Sequence, residues 1–371
     1  MATGRRRRDP LLRAYGDLAV NEAAAIARLL DTLDALGFIA RYMHPPRLHE
    51  LVATLGDRDA ALRAAMAEAA WPDEVRDHID AATQATLRAC DGLRESAVSA
   101  DGLRMSYRAL RQVARAMEAL YPLATLLPTV SRWFLATDEP ATAERLSEAA
   151  RHDGRGGVWH VANETSERGG FSIYVPEDYD EARVYPLVMA LHGGSGHGRL
   201  FLWSWLREAR GRDVILVAPT AVGDTWALME PQVDSGNLGA LLDAVGQRWR
   251  VDRSRLPLTG MSDGGTFSLL SGLDDESPFT HLAPVAASFH PLLLTMAEPS
   301  RVMGLPVYLV HGALDWMFPV SMARGARQAL TAGGAQVTYS EIADLSHVYP
   351  REEGSAILDW FLGAGSGREG S

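Results

Sequence analysis

The chain contains no lysine; all 36 of its basic residues are arginine. A lysine nucleophile and a lysine Schiff base are therefore excluded as chemistry. One cysteine, Cys90, stands alone in 371 residues, so no intrachain disulfide and no cysteine-ligated metal cluster can form. Its setting, "ATLRACDGL", reads as helix, and a small buried apolar residue is the plain reading. No stretch approaches the roughly 18 uninterrupted apolar residues of a membrane-crossing helix. Arg5–Arg8 form a basic run, but no long apolar stretch follows them. The run fits a solvated end and fails as a secretory or twin-arginine signal, so a cytoplasmic protein is expected. Positive charge is also in deficit. With 36 Arg against 47 Asp and Glu, the net charge is −11. Residues 1–150 hold 19 Arg and 21 acids, and residues 151–371 hold 17 and 26. An acidic surface repels phosphate backbones, which argues against nucleic acid as the main partner.

What is present is apolar side chain in quantity. At 47% hydrophobic, the chain can bury a large core, and wholesale disorder is excluded. Its length suits two domains. Residues 1–136 read as a helical domain. In "GLRMSYRALRQVARAMEALYP", Leu103, Tyr107, Leu110, Val113, Met117 and Leu120 recur at helical spacing. Arg104, Arg108, Arg111 and Arg115 form a second, solvated stripe. Pro128 and Pro140 interrupt the pattern, and residues 137–155 are read as a linker. From 156 to 365 the pattern changes. "GGFSIYVPEDY" alternates apolar and polar residues. "YPLVMALHGG", "DVILVAPTA", "RLPLTGMS" and "LPVYLVHGA" are short apolar runs of the kind buried on both faces of a parallel sheet. Helix candidates separate them. The expected fold class is α/β, a doubly wound, mostly parallel sheet preceded by an all-α domain. Ligands in such sheets bind where the loops gather at the carboxyl ends of the strands.

Gly260-Met261-Ser262-Asp263-Gly264 matches G-x-S-x-G. Alone the pattern is weak, but a strand candidate precedes it and a helix candidate follows. That is the strand–turn–helix of a nucleophile elbow. A serine hydroxyl needs a base to take its proton and an acid to orient the base. In this architecture they follow in the order acid, then histidine. Asp315 comes just after a strand candidate and His347 just after the next one. A surface aspartate and a surface histidine are the plain alternatives. Asp344 is a rival acid, three residues from the histidine and poorly placed to reach its ring. Asp234 reads as a helix N-cap. "ALHGGSGHG" resembles an oxyanion-hole loop, with Gly194 and the residue after the nucleophile, Asp263, as backbone donors. It lacks the G-K-[ST] of a phosphate loop. His192, His197, His281, His290 and His311 show no metal-ligand spacing, and no metal is expected. His192 and His311 are read as structural hydrogen-bonding residues. Trp203, Trp226 and Trp316, placed in loops near strand ends, are candidates for the substrate wall.

Residues about 170–363 resemble an α/β-hydrolase of the polyhydroxybutyrate-depolymerase and carboxylesterase type, related in fold to dienelactone hydrolases and feruloyl esterases. The resemblance is carried by "LHGGSG", "VDRSRLPLTGMSDGGTFS", "HGALDWMFPV" and "LSHVYP". It implies Ser262 as nucleophile, His347 as base, Asp315 as orienting acid, and no cofactor. The expected substrate is a small-molecule or oligomeric ester. Thioester cleavage, acyl transfer and peptide hydrolysis use the same triad and remain alternatives, as does a non-catalytic scaffold. The resemblance does not extend to the helical domain. Capping, homo-oligomerisation and partner binding are the roles left open for it. Secreted polymer depolymerases carry signal peptides and polymer-binding modules, and the absence of both patterns here argues against insoluble-polymer degradation.

Overall fold

The computed structural model describes residues 20–363, apart from positions 138 and 154 and the side chains of 151–153. Arg5–Arg8 lie outside the described residues. The chain divides into two compact units, Met1–Ile39 with Arg47–His152, and Ala40–Pro46 with Asp153–Ser371.

The first unit is built from α1 (Val20–Tyr42, up to Ile39), α2 (Leu48–Ala53), α3 (Arg58–Glu68), α4 (Asp73–Ser96), α5 (Gly102–Leu120), α6 (Pro128–Trp133) and α7 (Pro140–Asp153, up to His152). Helices α4 and α5 form a hairpin. Gly92 lets them approach so closely that a β-carbon there would lie 2.9 Å from that of Ala109, and Ser106 donates to Ser96 at 2.8 Å. Ala109, Val113, Ala116, Met117 and Leu120 bury one face of α5, while Arg104, Arg108, Arg111 and Arg115 stay exposed. Cys90 is buried on α4, and burial pushes its thiol up to about 12.

Helix α7 corrects the reading of residues 137–155 as a linker. Pro128 and Pro140 each stand at the start of a helix. There the missing N–H costs nothing and the fixed φ favours the first turn. Read as interruptions, they concealed two helices.

The second unit is an eight-stranded sheet: β1 (Gly157–Val161), β2 (Phe171–Val175), β3 (Leu187–Leu191), β4 (Ile215–Pro219), β5 (Pro257–Met261), β6 (His281–Val285), β7 (Pro306–Gly312) and β8 (Gln336–Ile342). The order is β1-β2-β4-β3-β5-β6-β7-β8. The β1–β2 and β2–β4 pairs are antiparallel, and every other pair is parallel. Strands β3 and β4 are buried at every residue, as apolar runs covered on both faces should be, and β2, which alternates apolar and polar residues, is buried throughout as well, Ser172 included. Helices α8 (Gly198–Ala209), α9 (Gln232–Arg248), α10 (Asp263–Gly272), α13 (Val320–Ala332) and α14 (Arg351–Leu362) connect and cover the strands, with short helices α11 (Leu292–Met296) and α12 (Pro299–Val302) between β6 and β7. Two strands have no counterpart among the runs picked from the sequence. β1 is short, antiparallel and only half-buried at most positions. β6 carries Pro284, which cannot donate to the ladder and counts against a central strand, yet it lies between β5 and β7. The unit is thus an α/β fold with a mostly parallel sheet, and β5 occupies its middle.

Candidate active site

The elbow forms at the carboxyl end of β5. Ser262 lies between β5 and α10 with φ 56° and ψ −120°. This is a strained conformation for a residue with a β-carbon. Two glycines permit the turn. A β-carbon on Gly260 would lie 2.4 Å from Gly264 O, and one on Gly264 would lie 2.4 Å from His192 O. The strand, the helix and the neighbouring loop therefore meet backbone to backbone. The Ser262 N–H donates to Val285 O at 2.9 Å, which ties the elbow to β6.

The structure brings Ser262, His347 and Asp315 together from three separate loops. His347 Nε2 lies 2.9 Å from Ser262 Oγ, and His347 Nδ1 lies 2.8 Å from Asp315 Oδ2. With the ring proton on Nδ1, the imidazole donates to the carboxylate and accepts from the serine hydroxyl. Asp344, the rival acid, makes no bond to the imidazole among the described contacts. Asp315 is fixed on its other oxygen, where Oδ1 accepts the N–H of Met317 at 2.9 Å and of Phe318 at 2.8 Å. Burial by itself would raise its pKa. The hydrogen bonds from His347 and from the Phe318 and Met317 backbone outweigh burial and hold the carboxyl below its usual value. His311 Nε2 lies 2.8 Å from Phe318 O and so holds the acid loop closed. The rings of Phe318 and Trp316 stand edge-on to His347 at 5.3 and 6.0 Å between centroids.

On the other side of Ser262 lies the loop after β3, residues 192–197. A β-carbon on Gly193 would lie 3.5 Å from Ser262 Cβ, and one on Gly194 would lie 2.7 Å from Asp263 Oδ2. The loop therefore runs directly beside Ser262. His192 organises it. Its Nδ1–H donates to Gly193 O at 2.7 Å, and its Nε2 accepts the Ala221 N–H at 3.1 Å. At the loop's far end, His197 caps α8 by accepting from Arg199 N. Asp263 opens α10, where the first backbone N–H groups have no intrahelical acceptor. Its N–H and that of Gly194 both belong to segments bordering Ser262 Oγ.

The three tryptophans part company. Trp203 is not in a loop; it is a buried residue of α8. Its helical periodicity with Leu202 and Leu206 was the signal for this. Trp226 is also buried, stacked on Phe267 at 5.3 Å, and its Nε1 donates to His192 O at 2.7 Å. It supports the 192–197 loop from behind. Trp316 alone is exposed beside the histidine.

Asp234 is also corrected. Helix α9 starts at Gln232 behind Pro231, and no side chain caps it. Asp234 lies inside the first turn, fully buried, and accepts from Val222 N at 2.9 Å and Ala227 N at 2.8 Å. It shapes the loop that carries Trp226. Two further supports were not singled out from the sequence. Thr225 donates to Asp263 Oδ2 at 2.7 Å. Arg168 donates through Nη1 to Gly196 O at 2.8 Å and through Nε to Gly223 O at 2.7 Å. Neither sits in a local motif, so no spacing in the sequence points to either. Among the described residues no group of His, Cys, Asp and Glu could hold a metal ion, and no helix is long and apolar enough to cross a membrane.

The strained turn at Ser262, its hydrogen-bond chain to His347 and Asp315, and the sheet topology together define an α/β-hydrolase fold. The family model of phospholipases and carboxylesterases matches residues 231–361. The chain is 25% identical over 207 residues to a probable feruloyl esterase C of Aspergillus terreus, covering 53% of this chain and 71% of that protein. Similar solved structures include a thermostable esterase, with 17% identity, a TM-score of 0.42, and coverage of 57% of this chain and 63% of that one. A ferulic acid esterase from Anaeromyces mucronatus in complex with ferulic acid gives 16% identity, a TM-score of 0.43, and coverage of 54% and 87%. The sheet unit thus has the α/β-hydrolase fold, and its second half is similar to the phospholipase and carboxylesterase family.

Proposed function

We propose that the sheet unit hydrolyses carboxylic esters through Ser262, His347 and Asp315 and an acyl-enzyme intermediate. Ser262 Oγ attacks the ester carbonyl while His347 Nε2 takes its proton. The imidazolium is stabilised by Asp315, whose lowered pKa keeps it ionised at neutral pH. The carbonyl oxygen becomes an oxyanion, held by the backbone N–H groups of Asp263 and Gly194. Each preorganised donor of this kind contributes about 3–4 kcal/mol in comparable sites. The C–O bond to the alcohol then breaks, and His347 returns the proton to the leaving oxygen. Water, deprotonated by His347, attacks the acyl-enzyme, and its collapse releases the acid and restores Ser262.

The observation that carries this reading is the continuous hydrogen-bond chain Ser262 Oγ–His347–Asp315 at 2.9 and 2.8 Å, at the tip of a strained elbow. The Trp316 ring at the histidine supports it as part of the substrate wall. Trp203 and Trp226 drop out of that role because both are buried in packing. Ester is preferred over thioester, acyl transfer and peptide because the matching family model and the feruloyl esterase relative both name ester chemistry. A cytoplasmic setting belongs to the same proposal and is read by cell fractionation. Capping, oligomerisation and partner binding remain the proposed roles of the helical unit. The mass of the full chain in solution separates oligomerisation from the other two.

The test is turnover of a chromogenic acetate-to-palmitate ester series by the wild type and by Ser262→Ala. A loss of about 10³-fold or more in the variant is expected. Equal activity in both proteins would sink the elbow assignment. A folded wild type inactive on every ester would turn attention to thioesters, peptides and a scaffold role.

A further inference from the structure

We infer that the Asp263 side chain sets the charge of the ester this site accepts, admitting neutral and cationic esters and rejecting anionic ones. The inference rests on the esterase reading and names its substrate class. Asp263 immediately follows the nucleophile, and its carboxylate lies against Gly194 of the loop beside Ser262: a β-carbon there would be 2.7 Å from Oδ2. Thr225 holds that oxygen at 2.7 Å. The carboxylate is half-buried, and Gly194 next to it is exposed, so its charge is partly open to solvent and not sealed in the core. No arginine pairs with it among the described residues.

The two loops flanking it add no compensating charge. Residues 192–197 and 220–231 contain no arginine, and the chain has no lysine, while Asp224 and Glu230 stand in the second loop. The cation bonded to both loops is Arg168. Its guanidinium is half-buried and engaged on the carbonyls of Gly196 and Gly223, which makes it a clamp and not an anion receptor. A substrate group within several ångströms of Asp263 therefore meets net negative potential in a partly desolvated site, where charge is weakly screened. Acyl groups on phosphate-rich carriers are disfavoured for the same reason, so the inference also separates ester cleavage from acyl transfer off such carriers.

Three esters of one acyl group and near-identical alcohol shape make the test: butyrylcholine (cationic), 3,3-dimethylbutyl butyrate (neutral) and 2-sulfoethyl butyrate (anionic). For each, kcat/KM is divided by its rate of alkaline hydrolysis to remove intrinsic reactivity. At about 10 mM ionic strength, where the Debye length is about 30 Å, the wild type should favour the cation over the anion by about tenfold or more. Asp263→Asn, which keeps shape and an acceptor for Thr225, should lower that ratio about tenfold. Thr225→Val removes the tether and keeps the charge, so it should leave the ratio in place even where it slows turnover. A merely structural role for Asp263 would instead slow all three esters alike. A wild-type ratio near unity, or an Asp263→Asn ratio equal to the wild type, overturns the inference while the esterase reading stands. If Asp263→Asn does not fold, Asp263→Ser takes its place with the same two outcomes. If the folded wild type cleaves none of the three esters and no chromogenic ester, the esterase reading fails and the inference falls with it.

Discussion

The helical unit and the sheet unit use polar residues in opposite ways. In the helical unit the charged side chains are spread along solvated faces. Arg104, Arg108, Arg111 and Arg115 line one exposed side of α5, and the buried polar groups are small hydroxyls such as Ser96 and Ser106, paired with each other, with Glu22 as the one buried carboxylate among the described residues, accepting the Ala70 N–H at 2.9 Å. In the sheet unit, Asp234, His192, His311, Asp315 and His347 are all buried at the carboxyl edge, and each holds hydrogen-bond partners from a different loop. A buried polar group is costly unless it is satisfied. The difference teaches where substitution should be felt: gradually in the first unit, and sharply, with activity coupled to stability, at the edge of the second.

The sharpest break falls on the triad. His347→Ala should lower kcat by about 10³-fold or more, and combining it with Ser262→Ala should add little, because the two act as one unit. Single-turnover kinetics on a chromogenic ester reads this, and additive losses would contradict a shared role. Asp315→Asn should lower kcat by up to about 10⁴-fold through the wrong imidazole tautomer. It should also alter the acid limb of stability. The folded pKa of Asp315 is depressed, so its contribution is present above the unfolded value of about 4 and disappears as pH falls through the lower folded value. Denaturant titrations from neutral to acid pH should show a shallower fall for the Asn variant.

Asp234→Ala tests the coupling of stability to activity at this edge. It leaves the Val222 and Ala227 N–H groups without their acceptor. Both N–H groups are only partly buried, so each costs at most about 1–3 kcal/mol when unsatisfied, and the variant should lose roughly 1–4 kcal/mol. It should also lose turnover, because the same loop holds Trp226 against His192. An unfolding curve that shifts while kcat/KM stays at the wild-type value would show that the loop is independent of the site. The smallest effect belongs to the helical unit. Cys90, buried and with its thiol pushed up to about 12, should resist iodoacetamide in the native protein at pH 8 and react fully once unfolded. Prompt native labelling would show that α4 opens readily.

The candidate site was legible where chemistry is written into a local pattern. Gly260, Ser262 and Gly264 require a strand before and a helix after, and these neighbours are contiguous in sequence. The order of Asp315 and His347 could be read for the same reason, since each follows its own apolar run by a few residues. The supporting residues were not legible. Asp234 looked like a cap because three residues of context cannot show that its oxygens face Val222 and Ala227. Trp203 and Trp226 looked like pocket residues because aromatic character alone does not distinguish a wall from a core. Much of the fold was legible too, from apolar runs and helical stripes. The exceptions were β1, half-buried and without a continuous apolar run, β6 with its proline, and α7, whose proline marks a beginning and not an end.

The sequence by itself determined the class of fold, the elbow and the identity of three residues that converge on one another. All of these follow from periodicity and spacing within a dozen or so neighbours, where the chain's own stereochemistry leaves few choices. Only the tertiary structure decided which loop holds which. Arg168 on Gly196 and Gly223, Thr225 on Asp263, and Trp226 on His192 join residues 28 to 55 positions apart. Those pairings are set by the sheet order that brings the carboxyl ends of β3, β4 and β5 side by side. Hydrogen bonds act over about 3 Å, so nothing in the linear order of residues can announce them.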